Sequence, residues 1–259
     1  MCIMGEINQI TQLIAEFKEQ VYKWKNIYEE LLLQDLKELY NSKIEVKQAI
    51  VFNNALLSID PKKIKYILVG DNPGKNEQKE GIYLCGRAGE RARNFFEKEL
   101  VNNFNEEVLV LNKSPIFTMR TRDIKELSEH GEFVKESQRY MADLVFNLHS
   151  VNKNMEVFIS GFAGCRCSKD GKWLKQRKNN GGYYKSQILP YFFAQLKNNY
   201  TNSEMEVKIY KHFSNNHFSK DIKKYNKRDS EIRCVLNNIG SKYFRELMGD
   251  INYHSNSSV

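Results

Sequence analysis

A chain of 259 residues with 41% hydrophobic and 28% charged residues can bury a core sufficient for one large domain or two small ones. No apolar run approaches the ~20 residues that span a bilayer, and Met1 to Glu6 lack the basic and long apolar regions of a secretory leader. Five cysteines (Cys2, Cys85, Cys165, Cys167, Cys234) make an odd count with no disulfide-like framework, so a soluble protein of the reducing cytoplasm is expected.

In chain order, residues from about Ile7 to Tyr40 are expected to form a helix, because Ile10, Leu13, Ile14, Phe17, Val21 and Trp24 recur at three- and four-residue steps. A second helical stretch is expected near Glu45 to Leu57, before the turn Ser58-Ile59-Asp60-Pro61. Tyr66-Ile67-Leu68-Val69 reads as a buried strand that stops at Gly70-Asp71-Asn72-Pro73-Gly74. Gly89 to Leu100 reads as a helix with Phe95, Phe96 and Leu100 inward. Val108-Leu109-Val110-Leu111 is a second strand, running into Asn112-Lys113-Ser114-Pro115. Phe133 to His149 reads as a longer helix with Tyr140, Met141, Leu144, Val145 and Leu148 on one face. Val157-Phe158-Ile159 then runs into Ser160-Gly161-Phe162-Ala163-Gly164. Gly181-Gly182 breaks the chain before a helix from about Tyr183 to Leu196. Val207-Lys208-Ile209-Tyr210 runs into Lys211-His212-Phe213-Ser214, the last helix is expected over roughly Ser230 to Met248, and the polar end, Asn252 to Val259, is expected to fray.

Strands alternating with helices imply βαβ units and a mainly parallel sheet. Parallel strands would bring all four turns to one cleft beyond the strand carboxyl ends. The N-terminal helices, 1–60, are expected to pack as an extension on the core at 61–250, because an apolar stripe needs a partner surface; 251–259 form a tail.

The net charge of +8 favours a polyanionic partner, and its distribution strengthens that reading. From Cys165 to Lys185 seven basic residues (Arg166, Lys169, Lys172, Lys175, Arg177, Lys178, Lys185) face Asp170 alone. From Lys208 to Arg228 seven more face Asp221 alone. Both runs follow strand ends, so they would rim the cleft and suit phosphate binding.

Gly70-Asp71-Asn72-Pro73-Gly74-Lys75 is not a Walker loop, which needs four residues between its glycines and a Ser or Thr after the Lys; here there are three, followed by Asn76. No Gly-x-Gly-x-x-Gly follows a strand either.

Four segments in order resemble the uracil-DNA glycosylase superfamily over about Ile64 to Ser219. Gly70-Asp71-Asn72-Pro73-Gly74 resembles its Gly-x-(Asp/Asn/Ala)-Pro-(Tyr/Gly/Ser) turn. Gly81-Ile82-Tyr83-Leu84-Cys85-Gly86-Arg87-Ala88-Gly89 resembles the Gly-x-Pro-Phe-x-Gly-x-Ser/Ala-Gly segment. Val108 to Asn112 resembles the family's strand ending in Asn, and Lys211-His212-Phe213-Ser214 the closing His-Pro-Ser motif, with Phe213 where the motif has Pro.

The resemblance implies a three-layer α/β/α domain with a central four-stranded parallel sheet. The implied activity is that of a monofunctional DNA glycosylase of base excision repair, cleaving the N-glycosidic bond of a flipped uracil or related damaged base. It also implies a monomer with DNA as partner, no membrane, no metal and no cofactor.

Asn72 and His212 would be catalytic: Asn72 orients water, and His212 stabilises the leaving base. An amide supplies no full negative charge, so slower turnover than in Asp-bearing members is implied. Asn112 would read the base by offering an acceptor and a donor to N3–H and O4 of uracil; the plainer alternative is an Asn capping the turn before Ser114-Pro115. His212 is preferred to His217, which begins the same tripeptide, because Val207 to Tyr210 leads directly into it.

Asp71, Pro73, Gly74, Tyr83, Leu84 and Phe117 complete the expected base pocket. Strict register puts Leu84 at the stacking position, with Tyr83 or Phe117 as the replacement ring. Expected DNA contacts are Arg87, Lys113, Ser114, Arg166, Ser214, His217, Phe218 and Ser219, with Phe218 the apolar wedge or an ordinary core residue. For Arg87 the alternative, a salt-bridge partner at a helix entry, is slightly preferred. An iron–sulfur cluster on Cys85, Cys165, Cys167 and Cys234 is argued against by the tight Cys165-x-Cys167 spacing. Two other readings remain: a catalytically weak or inactive nucleic-acid-binding protein on the same fold, and a hydrolase of small nucleosides or glycosides.

Overall fold

Four short apolar runs set the architecture. They form strands β1 (Tyr66–Gly70), β2 (Val108–Asn112), β3 (Glu156–Ile159) and β4 (Lys208–Ile209) of a wholly parallel sheet in the order β2-β1-β3-β4. β1 and β2 are buried at every residue, as expected of parallel strands covered on both faces. The computed structural model describes residues 2–41, 43–162, 189–226 and 231–249.

The helices are α1 (Cys2–Leu39), α2 (Glu77–Glu80), α3 (Arg87–Glu99), α4 (Phe104–Glu107), α5 (Gly131–Val151), α6 (Pro190–Tyr200), α7 (His217–Tyr225) and α8 (Ile232–Met248). They flank the sheet to give a three-layer α/β/α fold. Register and alternation put Tyr66, Leu68 and Phe158 on one face of the sheet. There Phe96 of α3 meets Tyr66 and Phe158 edge-on, Phe218 of α7 meets Phe158, and α8 packs along β4. A second group forms around α5, which packs on α6 and α1. Trp24 of α1 meets Phe133 and Tyr140 of α5 edge-on, and Tyr28 stacks on Phe133 at 4.3 Å. No helix among the described residues is long and apolar enough to cross a membrane.

The expected helix at Glu45 to Leu57 does not form. Only a 3-10 turn, Asn54–Leu57, is present, preceded by an isolated antiparallel bridge between Ile50 and Ile116. Distant side chains take the backbone donors a helix would use. Glu29 of α1 accepts from the Ala49 and Ile50 N–H groups, and Gln78 accepts from Lys47. Asn53 links Val110, Ala55 and Tyr83. Helix α7 was not anticipated. The Gly181-Gly182 break, the start of the helix expected from Tyr183, the first basic run from Cys165 to Lys185, Ala163-Gly164 and the tail lie outside the described residues.

Candidate active site

Parallel strands deliver their carboxyl ends to one side of the sheet, and β1 lies between β2 and β3 there, where the chain's direction of travel across the sheet reverses. Asn112, the last residue of β2, lies beside Gly70, the last of β1. A Cβ at position 70 would overlap Asn112 Oδ1 and stand 3.4 Å from Leu84 Cδ2. The glycine therefore lets the Asn112 amide lie across the end of β1, with Leu84 alongside. Asn112 is 1% exposed, and among the described residues neither its Nδ2 nor its Oδ1 has a hydrogen-bond partner. Buried polar groups are nearly always paired, so both ends of this amide call for an explanation.

Leu84 is held in a left-handed conformation, φ +52°, which a branched side chain rarely adopts. Its N–H donates to one oxygen of Glu77 while the N–H of Gly74 donates to the other. One buried carboxylate thus ties the first turn to the second motif. Burial pushes the Glu77 carboxyl above its ordinary range, and the two N–H groups pull it back in part. Gly89 in α3 completes the arrangement, since a Cβ there would overlap the Leu84 carbonyl.

Beside Asn112, Lys113 reaches from β2 across the end of β1. Its Nζ contacts Asp71 Oδ1 and the Ser160 carbonyl and lies 5.3 Å from the centre of the Phe193 ring. The ammonium is fully buried, while Asp71 keeps 19% of its side-chain surface. At Gly161, φ +90°, a Cβ would overlap Asp71 Oδ1 and stand 2.9 Å from Lys113 Nζ, so glycine is required where the pair lies against β3. Asp71 Oδ2 then looks toward β4, where His212 Nε2 lies 3.9 Å away.

The tautomer of His212 follows from its other nitrogen. Nδ1 accepts the Ser214 backbone N–H at 3.0 Å, with Ser214 Oγ at 2.7 Å. A nitrogen that accepts an amide N–H carries no proton, so in the neutral ring Nε2 is the donor. Asn72 is oriented just as firmly. Its Nδ2 donates to Thr118 Oγ1 at 2.9 Å and to the Pro73 carbonyl at 3.0 Å, with the Ile116 and Thr118 carbonyls at 3.3 and 3.4 Å. Only an NH2 group can face three carbonyls, so Oδ1 is the end these bonds leave over.

Neither a protein-family model nor a curated protein matches the sequence. The geometry therefore carries the functional argument.

The structure thus brings Asp71, Asn72, Leu84, Asn112 and His212 to the strand ends, and Pro73 and Gly74 form the turn. It separates His212 from His217, which is exposed at the start of α7. Other expectations are corrected. Tyr83 is buried, with its hydroxyl donating to the Val51 carbonyl, and Phe117 is fully buried against Tyr40; both rings anchor neighbouring loops and present no face for a base. Lys113 is buried in its ion pair, and Ser114 is buried with its Oγ accepting the Ile116 N–H, so neither is placed on a DNA-facing surface. Phe218 is 2% exposed and packs on Phe95 and Phe213, which makes it a core residue.

Arg87 and Ser219 are exposed, Ser214 is half-buried beside His212, and Arg166 lies outside the described residues. Cys85 and Cys234 are free and exposed, Cys165 and Cys167 are not described, and no metal-binding group of three His, Cys, Asp or Glu occurs among the described residues. Reading the sequence missed Glu77, Ser160 and Gly161 as site residues. A cavity of about 40 Å³ beside Tyr66 and Glu156 and an open one of about 470 Å³ between α6 and α8 include none of Asp71, Asn112 and His212.

Proposed function

We propose that the chain is a monofunctional DNA glycosylase that hydrolyses the N-glycosidic bond of a flipped uracil or a related imide-bearing base. One observation carries the reading: the Asn112 amide is buried with its donor and its acceptor both unpaired. Uracil presents N3–H beside O4, the complement of that amide, whereas cytosine presents the opposite pattern. Leu84 would form an apolar wall in place of an aromatic one, and Gly70 leaves room for the amide.

Bond cleavage leaves positive charge on the sugar and sends the bonding electron pair to N1 of the base. His212, donating from Nε2, would hydrogen-bond the base oxygen where that charge collects. Asn72 Oδ1 would hold the water whose oxygen bonds to C1′, and the proton that this water gives up ends on the departed base anion. Asp71, one residue away and held by Lys113, supplies the negative charge that Asn72 lacks. The reaction needs no metal or organic cofactor, and a single subunit carries every group named. Free, exposed Cys85 and Cys234 fit a reducing cytoplasm, where base excision repair would be the pathway.

Oligonucleotides containing uracil, hypoxanthine or a guanine–thymine mismatch, single- and double-stranded, test the reading by release of free base. Release that falls at least a hundredfold in Asn112→Ala and His212→Ala, in line with loss of one oriented donor, is the expected outcome. Salt-sensitive DNA binding without release from any substrate would instead favour a binding protein on this fold, a reading supported by the amide at position 72. Turnover of free nucleosides without DNA binding would point to a small-molecule hydrolase.

A further inference from the structure

The wall beside the Asn112 amide is built against the preference of its own backbone. Leu84 holds φ +52°, a conformation that a branched residue keeps only where its surroundings impose it. Three neighbours impose it here. The buried Glu77 carboxylate accepts the Leu84 N–H. A Cβ at Gly89 would overlap the Leu84 carbonyl, so α3 meets the backbone of the loop directly. Gly70 leaves open the space in which Leu84 Cδ2 and Asn112 Oδ1 lie.

The group placed there is aliphatic, and the rings of the same two loops are committed elsewhere: the Tyr83 hydroxyl donates to the Val51 carbonyl, and Phe117 packs on Tyr40. Aromatic and aliphatic walls reward different bases. An aromatic face stacks on a flat, conjugated ring and gains about fivefold or more in binding from it. An aliphatic face gains by covering apolar area, which a puckered ring presents as well as a flat one. Asn112 reads only N3–H and O4, and both remain when the C5–C6 bond of uracil is saturated.

We propose that Leu84 is a specificity-determining residue that extends the substrate class to imide bases with a saturated ring, of which 5,6-dihydrouracil is the simplest. The proposal rests on the glycosylase reading of the same site and names the bases it takes. Affinity for the two bases agrees to within about threefold, less than the smallest stacking difference. Cleavage differs. In both, the C1′–N1 bond breaks with its electron pair on N1, the water oxygen bonds to C1′, and the proton of that water ends on the base. In uracil the pair spreads to O2 and, through C5=C6, to O4; in dihydrouracil it reaches O2 alone. Saturation therefore slows the chemical step and leaves binding in place.

The test measures affinity for duplexes carrying 2′-fluorinated deoxyuridine, its 5,6-dihydro counterpart or deoxycytidine, and single-turnover base release from the unfluorinated strands. Wild type should bind the two imides alike, both above cytidine, and release dihydrouracil more slowly than uracil. Leu84→Phe, which sets a ring face in the same place, should favour binding of uracil by about tenfold. Leu84→Gly, whose backbone suits a positive φ, should weaken both imides by about tenfold and leave their ratio unchanged. Thermal unfolding checks that each variant is folded. Dihydrouracil bound about tenfold or more below uracil by wild type, or a ratio that Leu84→Gly shifts or that folded Leu84→Phe leaves as in wild type, would overturn the proposal. Release of uracil with rejection of dihydrouracil removes this proposal alone, whereas no preference for either imide over cytidine removes the glycosylase reading with it.

Discussion

A buried amide without partners costs the fold about 1–3 kcal/mol for each unsatisfied group, and Asn112 carries two. Leucine has nearly the same shape and no polar atoms. Asn112→Leu should therefore raise unfolding free energy by about 1–3 kcal/mol in urea titrations while abolishing base release, and a loss of stability would show that the amide is paired in solution. Asn72 leads to the opposite expectation from the one its sequence position suggests. Aspartate there would turn a carboxylate toward the carbonyls that Nδ2 now serves. Asn72→Asp should cost about 1–3 kcal/mol and leave single-turnover release no faster; an accelerated variant would contradict the orientation of Asn72 described above.

At the scale of elements, the strand ends depend on two small devices. Gly161→Ala would push a methyl group into the Asp71–Lys113 pair at a positive φ. Breaking a buried pair costs about 3–5 kcal/mol, a loss that thermal unfolding would register. The contact between α5 and α6 carries a pH dependence, because His149 is buried with its Nδ1 3.0 Å from the Tyr200 hydroxyl. Burial lowers its pKa from 6.5 to about 4. The unfolded chain therefore binds a proton that the folded one refuses, and stability falls as pH drops from about 6.5 to about 4, by about 1–2 kcal/mol. His149→Gln should flatten that part of the pH profile relative to wild type; an unchanged slope would show that the ring is not desolvated.

Whether an element can be read in sequence depends here on whether its determinants are local. The four strands were legible because parallel strands buried on both faces are continuous apolar runs, and the strand-end positions of Asn112 and His212 were legible because each closes or follows such a run. Residues 45–57 misled, since Glu29, Asn53 and Gln78 satisfy that backbone from a distance. Lys113 looked like a surface cation because its partner, Asp71, lies 42 residues earlier. Phe218 looked like a wedge because nothing near it in sequence reveals Phe95.

For the whole molecule, the proposed function requires that the buried, unpaired amide at the end of β2 meet an imide base brought to it by DNA. The direct measurement is the side-chain amide resonance of Asn112 in ¹⁵N-labelled protein. It would be followed as duplex carrying 2′-fluorinated deoxyuridine, whose fluorine slows cleavage, is added beside a cytidine-containing control. A downfield shift of the Asn112 NH2 protons with the uracil duplex alone is predicted. Equal shifts with both duplexes, or none with either while the protein binds DNA, would contradict the account.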